Sequence, residues 1–156
     1  KFNTDLSIIK SVVKSNDKRK ILLTKKIATL LNNNFKYKTI TFLGVTFKPN
    51  TDDMREASSI PMINFLNKKG CKIRYYDPTG IKSEFENMKN VKYYKSISSA
   101  CLKTDLIIIH TEWNDFKLLN FRKLVKKNKF KIYDMRNIYS PQKMKKSKIS
   151  YFGIGR

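Results

Sequence analysis

Histidine and cysteine are nearly missing from this chain: one His and two Cys stand among 156 residues. Cys71 and Cys101 are far apart and in no metal-ligand or redox-pair spacing, and no His, Cys or carboxylate cluster reads as a metal site. Both cysteines read as buried free thiols, which suits a reducing cytoplasm. No run is long and apolar enough to span a bilayer. The start, Lys1-Phe2-Asn3-Thr4-Asp5, lacks the apolar segment of a secretory signal. A cytoplasmic location is therefore expected. The first residue is Lys1 rather than Met, so the chain reads as a portion of something longer. Glycine is also scarce, at five residues, and none of them builds the G-x-G-x-x-G turn of a dinucleotide site.

Acidic residues are outnumbered, 12 against 34 Lys and Arg, for a formal net charge of +22. Such a balance raises a nucleic-acid reading. Against it, only Arg19, Arg55, Arg74, Arg122, Arg136 and Arg156 are arginine, and the lysines are spread along the chain. Plentiful Lys, Asn and Ile are what an AT-rich coding sequence produces. The densest runs, Lys126-Lys127-Asn128-Lys129-Phe130-Lys131 and Lys143-Met144-Lys145-Lys146-Ser147-Lys148, carry no aromatic-interleaved RNA-binding signature. They read as solvated lysines, with a stand-alone basic module for nucleic acid or another polyanion as the alternative. In either case the field raises the on-rate of an anionic ligand.

What is present is a folded globule: 40% hydrophobic and 12% aromatic residues, enough for one domain with a sizeable core. From Asp5 to Leu31, apolar residues at Leu6, Ile9, Val13, Ile21, Ile27 and Leu30 follow a helical period, with Ser15-Asn16-Asp17 as a break or a new N-cap. A long helix ahead of the first strand suggests a connector from a preceding domain. From Thr39 the chain alternates. Strands are expected at 39–43, 72–76, 91–94, 106–109, 131–134 and 150–154. Helices are expected at 59–68, 81–88, 96–102, 113–125 and 141–145. Ser58 or Ser59 can cap the first of these, Pro61 sits in its first turn, and Gly70 ends it. Leu106-Ile107-Ile108-Ile109 is apolar on both faces, as a central parallel strand must be. The fold class is α/β: a Rossmann-like, doubly wound parallel sheet of about six strands behind a long connector helix.

In such a sheet the loops after the strands share one edge, where ligands bind. The stretch Gly44 to Ala57 follows the first strand and carries Lys48 and Arg55 beside Thr51, Asp52 and Asp53. The second strand ends in Tyr76-Asp77-Pro78, the fourth in His110-Thr111-Glu112-Trp113-Asn114, the fifth in Asp134-Met135-Arg136-Asn137. Lys48, Arg55 and Arg136 on one edge suit a diphosphate, through Arg forks and a Lys point charge. Lys48 reads as a ligand residue. Asp52 and Asp53 read equally as ligand contacts or as braces for Arg55, and Arg136 equally as a ligand contact or as a partner of Asp134. Thr51 reads as a turn or cap residue. Asp77 reads as an Asp-Pro turn rather than a ribose contact. His110 reads as structural rather than as a general base, and Trp113 and Phe116 as packing.

Phe47-Lys48-Pro49-Asn50-Thr51-Asp52-Asp53-Met54-Arg55-Glu56-Ala57 resembles a signature of the UDP-glucose/GDP-mannose dehydrogenase family, in its C-terminal domain. Tyr76-Asp77-Pro78, Thr104-Asp105, Thr111-Glu112-Trp113, Asp134-Met135-Arg136-Asn137 and Gly153-Ile154-Gly155-Arg156 follow in the same order, and Ser15-Asn16-Asp17-Lys18-Arg19 resembles the end of the family's central helix. The resemblance implies that 1–34 is part of that central connector and dimerisation helix, and 35–156 the UDP-sugar domain. It implies an NAD-dependent oxidation of UDP-glucose, with NAD held mainly by an N-terminal domain of the same protein and a homodimer in the full-length enzyme. Under it, Phe47, Lys48 and Arg136 contact the UDP-sugar and Arg55 faces the NAD side of an interdomain cleft. Neither cysteine sits in the Gly-rich context of the family's nucleophile, so no catalytic residue is assigned and the chain alone is expected to be silent. Asn50-Thr51-Asp52-Asp53-Met54 favours UDP-glucose over GDP-mannose or UDP-N-acetylmannosamine.

Overall fold

Leu106-Ile107-Ile108-Ile109, apolar at every position, lies at the centre of the molecule with all four residues buried. The computed structural model describes residues 7–155. Along the chain these form α1 (Ser7–Leu30), β1 (Thr39–Leu43), α2 (Ser59–Lys68), β2 (Lys72–Tyr76), α3 (Ser83–Glu86), β3 (Val91–Tyr93), α4 (Ile97–Cys101), β4 (Leu106–Ile109), α5 (Phe121–Val125), β5 (Lys131–Asp134), α6 (Pro141–Lys146) and β6 (Ser150–Gly153). The strands form one sheet in the order β3-β2-β1-β4-β5-β6, every neighbouring pair parallel. The expected doubly wound sheet is thus observed. The expected helical residues Asp5 and Leu6 and the closing Arg156 lie outside the described residues.

Side chains alternate across each strand, so one strand feeds two cores. Ile40, Phe42, Leu106, Ile108 and Tyr133 pack on one face with Ile27 and Leu30 of α1 and Met62, Ile63 and Leu66 of α2. Leu43, Ile107, Ile109 and Ile132 pack on the other with Phe121 and Val125 of α5 and Met144 of α6. Trp113 and Phe116 belong to this second core, as expected of packing residues. Only the C-terminal end of α1 joins the body. Its earlier turns leave Ile8, Ile9, Val12, Val13, Ile21 and Leu22 exposed.

Three local expectations change. The helix runs unbroken through Ser15-Asn16-Asp17. Neither Ser58 nor Ser59 caps α2 with its side chain: the Ser58 hydroxyl meets His110 Nε2 at 2.9 Å, and Ser59 donates to the Val45 carbonyl at 2.5 Å. The expected helix over 113–125 is split into a single 3-10 turn, Asn114–Phe116, and the short α5. Tyr139 stands at the break. Its hydroxyl donates to the Phe116 carbonyl and accepts from Leu119 N–H, two groups a continuous helix would have paired internally. Asn120 then caps the new start by accepting from Lys123 N–H at 3.1 Å. Gly70 ends α2 with φ +79° as expected.

The register sets Leu43 opposite Tyr76 and Ile109, Ile109 opposite Asp134, and Asp134 opposite Gly153. Four of the strands therefore deliver their following loops to one line, on either side of the β1/β4 switch point. At that point Gly44 has φ +73°, and an added Cβ would lie 2.6 Å from Thr111 Cβ. Gly44→Ala is therefore expected to cost about 2 kcal/mol or more, through a left-handed non-glycine residue and a forced separation of β1 from β4. Urea unfolding checks this; an unchanged midpoint would refute it.

Candidate functional site

The loop after β1 is held along its length, which fixes what its tip presents. Gly44 N–H donates to the Tyr76 carbonyl at 2.8 Å. Val45 N–H reaches Asp77 Oδ2 at 2.8 Å and Thr46 N–H the same oxygen at 3.4 Å. The Thr46 carbonyl accepts from Thr111 Oγ1 at 2.8 Å. Phe47 N–H donates to the Asp53 carbonyl at 2.9 Å, closing the loop on itself. Met54 and Ala57 drop back into the core, 5% and 1% exposed. Between these anchors Phe47 is half exposed and Lys48 exposed.

Arg136, from the loop after β5, reaches the same place. Its Nη2 donates to the Phe47 carbonyl at 3.2 Å and its Nε to the His110 carbonyl at 2.6 Å. Its ion-pair partner is Glu112, whose Oε2 lies 2.8 Å from Nε without accepting a hydrogen bond, because that N–H is turned to His110. The bracing partner considered from sequence, Asp134, is otherwise engaged: it accepts from Arg136 N–H, Tyr139 N–H and Tyr151 O–H. Arg55 points outward, its side chain 89% exposed, and forks onto Asp53 through Nε at 3.0 Å and Nη2 at 2.9 Å. That fork holds the Asp53 carboxyl at about 2, below the usual carboxylate range. Asp53 thus braces Arg55, while Asp52 is exposed. Arg136 meets the Phe47 carbonyl at the switch point, Lys48 follows Phe47 as an exposed residue of the same loop, and Arg55 stands further along it, turned away to solvent.

Asp77 is fully buried and its carboxylate is already in use. Besides Val45 and Thr46, it accepts from Thr79 N–H at 3.0 Å and Thr79 O–H at 2.5 Å. This matches an Asp-Pro turn and leaves no oxygen for a ribose. It also tests the fit of NAD to this Rossmann-like unit. In a dinucleotide turn the amides after the first strand face the pyrophosphate. Here Asp77 occupies them, and α2 starts only at Ser59. The residues present do not fit a dinucleotide held in that way.

His110 is structural in its contacts. Thr111 Oγ1 spends its proton on the Thr46 carbonyl, so His110 Nδ1 must donate to that oxygen at 3.1 Å. Nε2 then accepts from Ser58. Burial, with a smaller contribution from Arg136, pushes the imidazole down to about 3. Burial also raises the Cys71 and Cys101 thiols, to about 11 and about 12, so neither is a thiolate nucleophile at neutral pH. Ser58, Ser59 and Thr111 were not singled out as joining the loop to β4 and α2. Their only signal was a hydroxyl beside a strand or helix end, which reads equally as a cap. A cavity of about 510 Å³ between α5 and α6 contains none of Phe47, Lys48, Arg55 or Arg136. The candidate site is taken at the sheet edge, where Arg136 meets the Phe47 carbonyl, and not at this hollow.

A Rossmann-like sheet with its dinucleotide turn filled from within, and with Arg136, exposed Lys48 and half-exposed Phe47 at its switch point, defines a Rossmann-like domain of non-dinucleotide type. A family model described as "UDP-glucose/GDP-mannose dehydrogenase family, UDP binding domain" matches residues 41–141, about two thirds of the chain, and the chain belongs to that family. The UDP-glucose 6-dehydrogenase of Rickettsia felis is 39% identical over 154 residues, covering 97% of this chain and 34% of that protein. UDP-glucose 6-dehydrogenase TuaD of Bacillus subtilis is 32% identical over 153 residues, covering 96% and 32%. The chain thus spans about a third of the length of the curated relatives it matches. In fold it is similar to the NDP-N-acetyl-D-galactosaminuronic acid dehydrogenase of Methanosarcina mazei Go1, with a TM-score of 0.82 at 21% identity over 100% of this chain and 33% of that one.

The depressed His110 value has a sign. The unfolded chain protonates this imidazole near 6.5 and the folded chain only near 3, so its contribution is complete above 6.5 and is lost as pH falls through that window. Between pH 7.5 and 5 the unfolding free energy from urea titration should fall, by at most about 1.4 kcal/mol per pH unit from this group. In His110→Gln the slope should be shallower; equal slopes in the two proteins would refute the assignment.

Proposed function

We propose that this chain is the C-terminal, nucleotide-sugar-binding portion of an NAD-dependent UDP-glucose 6-dehydrogenase. The observation that carries the reading is Arg136 meeting the Phe47 carbonyl at the switch point, beside exposed Lys48, on a loop pinned at Val45, Thr46, Phe47 and Met54. Lys48 supplies a point charge and Arg136 a guanidinium edge to the UDP diphosphate, and Phe47 an apolar face to the nucleotide. Exposed Arg55 faces the NAD side of a cleft closed by the preceding part of the protein. In the whole enzyme the sugar C6 alcohol is oxidised to the carboxylate of UDP-glucuronate, with water supplying the second oxygen and two NAD each taking a hydride. The hydride acceptor site and the cysteine nucleophile belong to that preceding part. This chain's own residues bind and orient the substrate.

The family membership and the names of its relatives support UDP-glucose as the substrate. The exposed apolar residues of α1, Ile8, Val12 and Val13 among them, support a central helix that continues into a homodimer. Among the described residues no helix is long and apolar enough to cross a membrane. A cytoplasmic location is part of the proposal, since NAD and nucleotide sugars are the reactants it assigns.

Calorimetric titration of the chain and of the full-length protein with UDP-glucose, with GDP-mannose and NAD as controls at two salt concentrations, tests the reading. Selective uptake of UDP-glucose supports it; failure of both proteins to bind refutes it. Lys48→Ala should weaken UDP-glucose binding by about 1.5–3 kcal/mol, the loss of one charge-assisted contact. Unchanged affinity would remove Lys48 from the site. Arg136→Lys should raise the KM of the full-length enzyme about tenfold, since an ammonium cannot hold the Phe47 and His110 carbonyls and a phosphate together. A wild-type KM would remove the fork from the account.

A further inference from the structure

Asp77 is a carboxylate with no solvent exposure whose two oxygens accept four hydrogen bonds from neutral donors: Val45 N–H, Thr46 N–H, Thr79 N–H and Thr79 O–H. The first two donors are unusual in their setting. Gly44 takes the left-handed conformation at φ +73°, and the next two amides converge on one oxygen, Asp77 Oδ2. Successive amides after a left-handed residue make an anion-binding concavity, and at the end of the first strand of a doubly wound sheet that concavity is where a dinucleotide phosphate sits. Here the anion is covalently part of the next strand's end. Behind it lies Lys82, 4% exposed. Its Nζ donates to Thr79 Oγ1 at 2.6 Å, and that hydroxyl donates to Asp77 Oδ1 at 2.5 Å. The cation is thus one hydroxyl away from the carboxylate, and the Lys82 backbone N–H is itself tied to Tyr75 Oη at 3.0 Å.

The geometry points to Asp77 as an internal stand-in for phosphate: a positioning residue that fills the anion nest of this turn, closes it to a dinucleotide, and sets the loop that presents Phe47 and Lys48. The route is short. Val45 and Thr46 immediately precede Phe47, and their carbonyls are held independently by Ser59 and Thr111. With the Asp77 carboxylate in place, both residues are fixed at their N–H and C=O groups. Without it, the amides lose their partner and the loop pivots on its carbonyl contacts. Thr79 and Lys82 fix the opposite oxygen and so orient the carboxylate. The nest-filling role stands on this geometry alone; its consequence for substrate rests on the UDP-sugar reading given above.

Asp77→Ala leaves a vacancy the size of a small carboxylate, so formate is the probe. Two readouts are taken on wild-type chain and variant, with and without formate: hydrogen exchange at the Val45 and Thr46 amides, and affinity for UDP-glucose. In the variant, exchange at both amides should accelerate and UDP-glucose binding weaken, each by about tenfold or more, and formate should reverse both while leaving the wild type unchanged. A loss of general stability alone would not respond to formate. A folded Asp77→Ala with protected amides and no formate response overturns the proposal. Should Asp77→Ala not fold, Thr79→Val reads the same two amides through a carboxylate deprived of its orienting hydroxyl, and unchanged exchange there overturns it. Formate-sensitive amides, where neither the wild-type chain nor the full-length protein takes up UDP-glucose, would uphold Asp77 as the nest's anion and refute the UDP-sugar reading instead.

Discussion

The ends of β1 and β4 meet with no room for a side chain between them, and the functional edge depends on that contact. A Cβ on Gly44 would strike Thr111, so only glycine lets the two strands close at their switch point. Closure brings the Thr111 hydroxyl to the Thr46 carbonyl and orients His110 to receive Ser58 from the start of α2. One hydroxyl thereby couples the loop, the end of β4 and the first helix after the loop. Each such buried hydrogen bond contributes about 1 kcal/mol net, but leaving one donor or acceptor unpaired costs as much or more. The network therefore holds as a unit.

The arginines at the edge have different partners. Arg136 stitches two loops together through backbone carbonyls and keeps Glu112 as its counter-ion. Arg55, fully in solvent, is tied to Asp53 two residues before it. An exposed pair of that kind contributes little to stability. Its effect is on direction: the fork holds an outward-facing guanidinium in one pose. The buried and half-buried polar groups at the opposite end of the sheet are structural in the same sense. Asp105 accepts from Thr39 N–H and pairs with Lys127, while Thr104 and Thr41 satisfy one another and nearby carbonyls. The residues matching the family pattern are thus divided between display of cations at one end of the sheet and alignment of strand starts at the other.

The net charge of +22 belongs to the surface and not to this architecture. The two dense lysine runs come together around Arg122, which donates to the Asn128, Ser147 and Lys148 carbonyls. Lys127 pairs with Asp105 and Lys131 donates to the Leu30 carbonyl, while the other lysines of the two runs are exposed, where ions of ordinary salt screen them within about 10 Å. A faster on-rate for anionic ligands is the electrostatic consequence.

The sequence by itself determined the elements and their order. Six apolar runs bounded by Gly, Pro and Asn became six strands, within a residue of their expected limits, because burial on both faces leaves a signature in every residue of a run. The loop carrying Phe47, Lys48 and Arg55 was legible for the same reason, since it follows the first strand of an alternating chain. Tertiary structure decided which polar groups meet. Tyr139 stands at the break in a helix that periodicity extends from 113 to 125, and Ser58 and Ser59 abandon capping for partners on β4 and the β1 loop. Arg136 takes two carbonyls and Glu112 in preference to Asp134, and Asp77 takes the amides of a turn far from it in sequence. The physical reason is one of range. Hydrophobic period is written locally and read locally. A hydrogen bond between loops exists only once strand order and register have set their ends side by side.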